Sequence, residues 1–168
     1  MVEDLDRSFA ARPPDPELER LEPLVGTWTA EDRTHDSVLG PGGPVRATET
    51  FYWLDGRYFL VQTYETTFGD EPTQTGINYW GYDSEARRFR IIFFSNNGPF
   101  TEAGNRYEGN LSDDMLTFVG PARFQYQLDE NGKIKTNSDG TVSVTWWLRD
   151  ANGDWQPWMN NTFARAPS

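Results

Sequence analysis

A chain of 168 residues is long enough to bury one substantial core, and a hydrophobic content of 36% suits a single globular domain. A formal charge of −11, with no cluster of Lys or Arg, argues against a nucleic-acid partner and an anionic membrane, both of which need a basic face. The absence of cysteine excludes disulfides, thiolate catalysis, Fe–S clusters and the usual structural zinc sites.

No stretch approaches the roughly 20 apolar residues of a membrane span. The opening MVEDLDRSFA lacks the basic and apolar regions of a secretion signal, so the chain reads as cytoplasmic. Burial falls to 7 Trp, 7 Tyr and 11 Phe, with only 3 Met. Residues 1–14 read as a flexible acidic leader and 15–168 as one domain. Asp15 or Pro16 opens a short helix, PELERLEPL, with acidic residues near its N-terminus and Leu18, Leu21 and Leu24 at helical spacing. Too short to stand alone, it must lie on the rest of the fold.

From residue 25 onward, short alternating runs are separated by turn signals. The spacing predicts strands near 25–33, 46–54, 57–66, 75–82, 88–95, 99–103, 106–111, 114–119, 122–128 and 140–149, with a last one near 156–165. Turns such as Leu54-Asp55-Gly56-Arg57 and Asp129-Glu130-Asn131-Gly132 are of hairpin type, so successive strands pair antiparallel. Two sheets or one closed sheet would accommodate them; closure is favoured because it removes aggregation-prone edges. The expected fold is all-β, an antiparallel meander barrel of about ten strands with a short N-terminal helix at its closed end. The loops at 41–44 and 66–73 are the expected mobile rim.

On the first strand Gly26, Trp28 and Ala30 alternate with polar residues, which turns Trp28 inward. A two-residue loop at Asp55-Gly56 would pair Trp53 with Tyr58, Phe51 with Leu60 and Glu49 with Gln62. The face Ala47, Glu49, Phe51, Trp53, Tyr58, Leu60, Gln62, Tyr64 then points inward, with Glu49 and Gln62 side by side above an aromatic floor. The inverse parity, or Glu49 in water at the mouth, is the competing placement. Outward Tyr52, Phe59 and Val61 would form a patch suited to a homodimer. Val142, Val144, Trp146 and Leu148 face inward on 140–149, as do Phe89, Ile91 and Phe93 on 88–95. Pro157 cannot donate to a ladder and marks an edge or a bulge.

Gly26-Thr27-Trp28 after a short helix, together with Arg165 near the end of the last strand, resembles the calycin group of lipocalins and fatty-acid-binding proteins. The resemblance implies a Trp across the closed end with the Arg packed over it. More closely, the chain is similar to a bacterial lipocalin-like family of unknown function through LxxLVGTW, YWLDGRYFLVQ, WGYD and GNLSDDMLTFVGPARF, over roughly residues 18–165. That family brings no catalytic residues to carry over. The nitrobindin-like barrels of the same group bind haem through a late histidine, whereas the single His here is residue 35; no cofactor is implied.

His35 lies in DRTHDSVLGPGG, a polar segment across the open end, where Asp32 or Asp36 would orient it for acid or base work; a solvated loop histidine is the alternative. Glu49 and Tyr64 are the other proton-transfer candidates. No nucleophile elbow, phosphate loop or metal-ligand set is present. The candidate ligand-binding set is Glu49, Phe51, Trp53, Tyr58, Leu60, Gln62, Tyr64, Asn78, Phe93, Trp146 and Asn161, an apolar wall with sparse polar anchors. The expected function is binding of a small hydrophobic or aromatic molecule. A cofactor-independent cyclase, isomerase or lyase, or a module with a filled barrel that binds nothing, would use the same residues differently.

Overall fold

The computed structural model describes residues 12–101 and 104–167, so most of the expected leader at 1–14 lies outside the described residues. Ten strands follow a short helix: β1 (Gly26–Arg33), β2 (Pro44–Trp53), β3 (Leu60–Phe68), β4 (Gln74–Asp83), β5 (Arg88–Ser95), β6 (Arg106–Ser112), β7 (Met115–Val119), β8 (Arg123–Gln127), β9 (Val142–Arg149) and β10 (Trp155–Arg165). Each pairs with its sequence neighbour and β10 returns to β1, giving one closed antiparallel barrel. Among the described residues no helix is long and apolar enough to cross a membrane.

The helix, Pro16–Leu24, is a 3-10 helix. Its i→i+3 geometry stacks Leu18, Leu21 and Leu24 on a single edge, and all three are buried. Asp15 caps it, its side chain accepting from the Glu17 N–H at 3.0 Å. The helix closes one end of the barrel by binding the turns there. Arg20 Nη1 donates to Gly132 O at 2.7 Å, Ser84 Oγ donates to Asp15 Oδ2 at 2.6 Å, and Glu22 Oε2 accepts from Trp53 Nε1 and Arg57 Nη2, each at 2.7 Å.

Trp28 sits directly above, 2% exposed, and its indole N–H donates to Leu24 O at 2.7 Å. The Arg165 guanidinium lies 4.3 Å from the Trp28 ring centroid and donates to Val25 O at 3.0 Å. Gly26, at φ 129°, is required here, because a Cβ would collide with that guanidinium. Trp80 anchors the core, packing edge-on against Phe51 and Phe118 at 5.7 and 5.0 Å between centroids.

The expected two-residue β2–β3 loop is wider. Arg57 N–H does close a turn onto Leu54 O (2.8 Å), but Arg57 itself is left-handed (φ 61°), and the ladder resumes only at Leu54 N–H to Phe59 O (3.0 Å). Pairing is therefore Trp53 with Leu60, Phe51 with Gln62 and Glu49 with Tyr64. A slip of two residues preserves which face points inward, so the expected interior side survives for every residue of the pair except Tyr58, which leaves the strand and is 38% exposed. Val61, expected in an exposed patch, is 1% exposed between Tyr52 and Tyr79; Tyr52 and Phe59 are exposed.

No strand forms at 99–101, where Pro99 follows a turn bridged between Ser95 and Gly98; residues 102 and 103 lie outside the described residues. Pro157 marks a bulge in β10: the register with β9 shifts between Pro157 and Met159. The β1–β10 seam has little backbone pairing, Trp28 with Arg165 and Thr29 with Ala164. Farther along it, the Asp32 carboxylate accepts from the Thr162 N–H (3.2 Å) and Asn161 Nδ2 (3.3 Å) instead.

Candidate functional site

Above the aromatic floor the barrel holds a cavity of about 550 Å³. The connections β1–β2, β3–β4, β5–β6 and β7–β8 rim its mouth, where Leu39, Phe68, Gln74, Pro99 and Pro121 reach the wall. Trp80, Phe124 and Tyr126 form the base, and Phe93, Tyr107, Trp146 and Trp158 the flanks. Phe124 is the hub of this lining, 4.5 Å from the Trp146 ring and 5.2 Å from that of Tyr107.

The structure brings Glu49, Gln62, Tyr64, Asn78, Phe93, Trp146 and Asn161 together on this wall. The other four candidate binding residues are elsewhere. Phe51 and Leu60 belong to the packed core beneath, 2% and 0% exposed. Trp53 is at the closed end, bonded to Glu22, and Tyr58 is on the wide turn. Phe51, Trp53 and Leu60 share the inward strand pattern but lie too near the closed end to reach the open volume.

His35 is exposed and is not part of the wall; what it contributes is a backbone N–H donated to Trp158 O at 2.6 Å. Neither expected partner orients it. Asp32 serves the β1–β10 seam, and Asp36 Oδ1 accepts from the Gly42 N–H at 2.7 Å. The loop is a folded rim, and this histidine is a surface residue of it.

Glu49 is the chemically distinctive group. Burial pushes its carboxyl up to about 7, against the opposing pull of the neighbouring Gln62 side chain. Gln62 is itself fixed: Trp80 Nε1 donates to its Oε1 at 2.9 Å, and Asn78 Nδ2 donates to the same oxygen at 2.7 Å. Burial also raises the Tyr126 hydroxyl well above its ordinary range, and the Glu49 charge adds to this. Tyr64 is raised by burial, with the Ser95 hydroxyl opposing and Glu49 contributing. Its ring crosses β4 at Gly76, where a Cβ would come within 2.5 Å of Phe94 O and of Tyr64 Cζ. A carboxyl titrating near neutrality on the wall of a largely enclosed chamber can hold a cation or exchange a proton with a guest.

Tyr107, Phe124, Tyr126 and Trp158 are wall residues that the sequence did not single out. Period-two alternation in Arg123–Gln127 carries Phe124 and Tyr126 to the interior and was legible. Trp158 reaches the wall beside Met159 because of the Pro157 bulge, for which alternation gives no signal. Among the described residues, two side-chain polar atoms of the wall are buried without partners, Asn78 Oδ1 and Trp146 Nε1. Among the described residues no group of three or more His, Asp or Glu is placed to hold a metal ion.

Residues 13–165 match the family described as a protein of unknown function, DUF1579. No curated protein matches the chain. Among solved structures it is similar to Rv2717c from M. tuberculosis, at 16% sequence identity and a TM-score of 0.58, covering 92% of this chain and 99% of that one. At that identity the similarity is one of fold.

Proposed function

Starting from the fact that the chain belongs to this DUF1579 family of unknown function, we propose that the protein binds a small hydrophobic or aromatic molecule inside its barrel. The observation that carries this reading is the cavity of about 550 Å³, walled by aromatic rings with polar side chains such as Gln62, Asn78 and Asn161 set among them. A chamber of that size exceeds what imperfect packing leaves behind, since protein interiors pack at crystal-like density. Trp28 under Arg165 and the Gly26-Thr27-Trp28 opening support a place for the barrel among calycin-like binding proteins. Titration of Trp fluorescence with a panel of polycyclic aromatic compounds tests the reading. Saturable quenching is expected, because Trp80, Trp146 and Trp158 line the chamber. A flat response across the panel would overturn it.

A second reading, a cofactor-independent isomerase, cyclase or lyase, is favoured by one observation, the Glu49 carboxyl held near 7 on the cavity wall. Turnover of a bound compound that disappears in Glu49→Gln while binding persists would select it.

A further inference from the structure

Resting on the reading of the cavity as a binding site, we propose that its ligand is an aromatic molecule bearing a protonated amine, held by the Glu49 carboxylate with Asn78 Oδ1 as the second acceptor.

Among the described residues of the wall there is no Lys, Arg or His, and Glu49 is the one carboxylate. An anionic guest, such as a fatty acid, would meet no counter-charge in a low-dielectric chamber and could enter only beside a protonated Glu49. The chain's formal charge of −11 biases the approach of ligands in the same sense.

The hydrogen-bond arrangement supplies a second, independent reason. An indole N–H can only donate, so the Trp80 bond identifies the Gln62 atom it meets as the oxygen. The Asn78 group facing that same oxygen must then be its NH2. Asn78 Oδ1 is therefore fixed as an acceptor, and it is buried without a donor. Glu49 and Asn78 thus stand on either side of Gln62: the carboxylate, bonded by Gln62, has acceptor capacity left over, and Asn78 Oδ1 has no donor at all. An ammonium group has three donors and no acceptor. The half-buried rings of Phe93, Tyr107, Trp146 and Trp158 on the same wall add aromatic surface against which a flat cationic guest packs.

The side chains facing Glu49 leave it free to act. Gln62 and Tyr64 approach from β3 and Tyr126 from β8, and both phenols are held above their ordinary range, neutral between pH 6 and 8. On the neighbouring strands Asp32 is engaged by Asn161 and Thr162, and the Arg165 guanidinium is stacked on Trp28 and bonded to Val25 O. Burial keeps the empty site partly protonated at neutral pH, so a cationic guest must bind with release of a proton.

Calorimetric titration of the full chain with 1-naphthylmethylamine, 1-methylnaphthalene and 1-naphthylacetic acid, at pH 6 and pH 8, tests this. At pH 8 the amine should bind about tenfold more tightly than the neutral hydrocarbon, as a charge-assisted hydrogen bond implies, and the acid most weakly. Amine affinity should rise several-fold from pH 6 to pH 8, with proton release seen as a dependence of the heat on buffer. In Glu49→Gln the amine and hydrocarbon should converge to within about twofold; the wild-type pH comparison stands even if that variant does not fold. Equal binding of acid and amine, or amine affinity independent of pH, overturns the cation proposal while leaving a binding cavity. Failure of all three compounds to bind overturns both.

Discussion

Glu49 faces the interior because Ala47, Glu49 and Phe51 alternate with Thr48 and Thr50, and the barrel turns that whole face inward. The consequence for stability has a definite sign. A carboxyl raised from 4.5 to about 7 retains its proton in the folded chain over a range where the unfolded chain has lost it. Folding is therefore unaffected by Glu49 below about pH 4.5, loses stability between there and pH 7, and carries a constant penalty above. The penalty reaches at most about 3 kcal/mol, an upper bound because the carboxyl also borders the cavity. Glu49→Gln should thus stabilise the protein in urea melts at pH 8 and change little at pH 4.5, whereas equal effects at the two pH values would contradict the placement. Alternation grouped Glu49, Gln62 and Tyr64 on one face but left open whether that face points inward. It did not reveal the register, since Arg57 in a left-handed conformation widened the turn, and no residue pattern near Asp55-Gly56 distinguishes the two loops. The position of Phe51 and Leu60 below the chamber was hidden for a related reason: alternation reports the face of a strand, not the depth along it.

Among the elements, the 3-10 helix was legible as an amphipathic segment, and its type is explained by the same residues. Leu18, Leu21 and Leu24 recur every three positions, which suits three residues per turn better than 3.6, and Pro23 cannot supply a backbone N–H. Leu21 is 0% exposed in the plug this helix forms. Leu21→Ala should cost about 2–5 kcal/mol in equilibrium unfolding, the usual range for a core leucine. At the other side of the plug, Arg165→Ala removes the cation from the Trp28 face and should cost about 1 kcal/mol, with the Trp fluorescence shifted to the red as the indole gains water. Unchanged emission would mean that the indole stays covered without Arg165. Within the expected strand at 99–103, residues 99–101 form none, because alternation there is brief and Pro99 cannot donate to a ladder, while Pro157 signals an edge or bulge without indicating which residue the bulge moves.

For the whole molecule, the hairpin turns gave an antiparallel meander, and closure was favoured because it removes exposed edges; the structure bears this out with ten strands in one ring. The size of the chamber was not legible. Volume depends on how far aromatic rings from opposite walls interlock, and periodicity contains no such distance. A hollow barrel forgoes dispersion contacts that a filled one would make, so a fitting guest restores them. With a saturating guest at one hundred times its Kd, thermal unfolding should move up by roughly 5–10 °C, the shift that about 2.7 kcal/mol produces in a chain of this length. An unmoved transition at that saturation would place the compound outside the barrel.

The seam between the first and last strands also dictates when the chamber comes into being. Trp158, Met159, Asn161 and Phe163 all belong to β10, and until that strand docks the remaining nine form an open trough. During synthesis, therefore, the container is finished only once Trp155–Arg165 has left the ribosome, and nothing can be enclosed sooner. A nascent chain halted at Arg149 should leave its tryptophans open to a soluble quencher such as acrylamide, and release of the last strand should shield them in a single step.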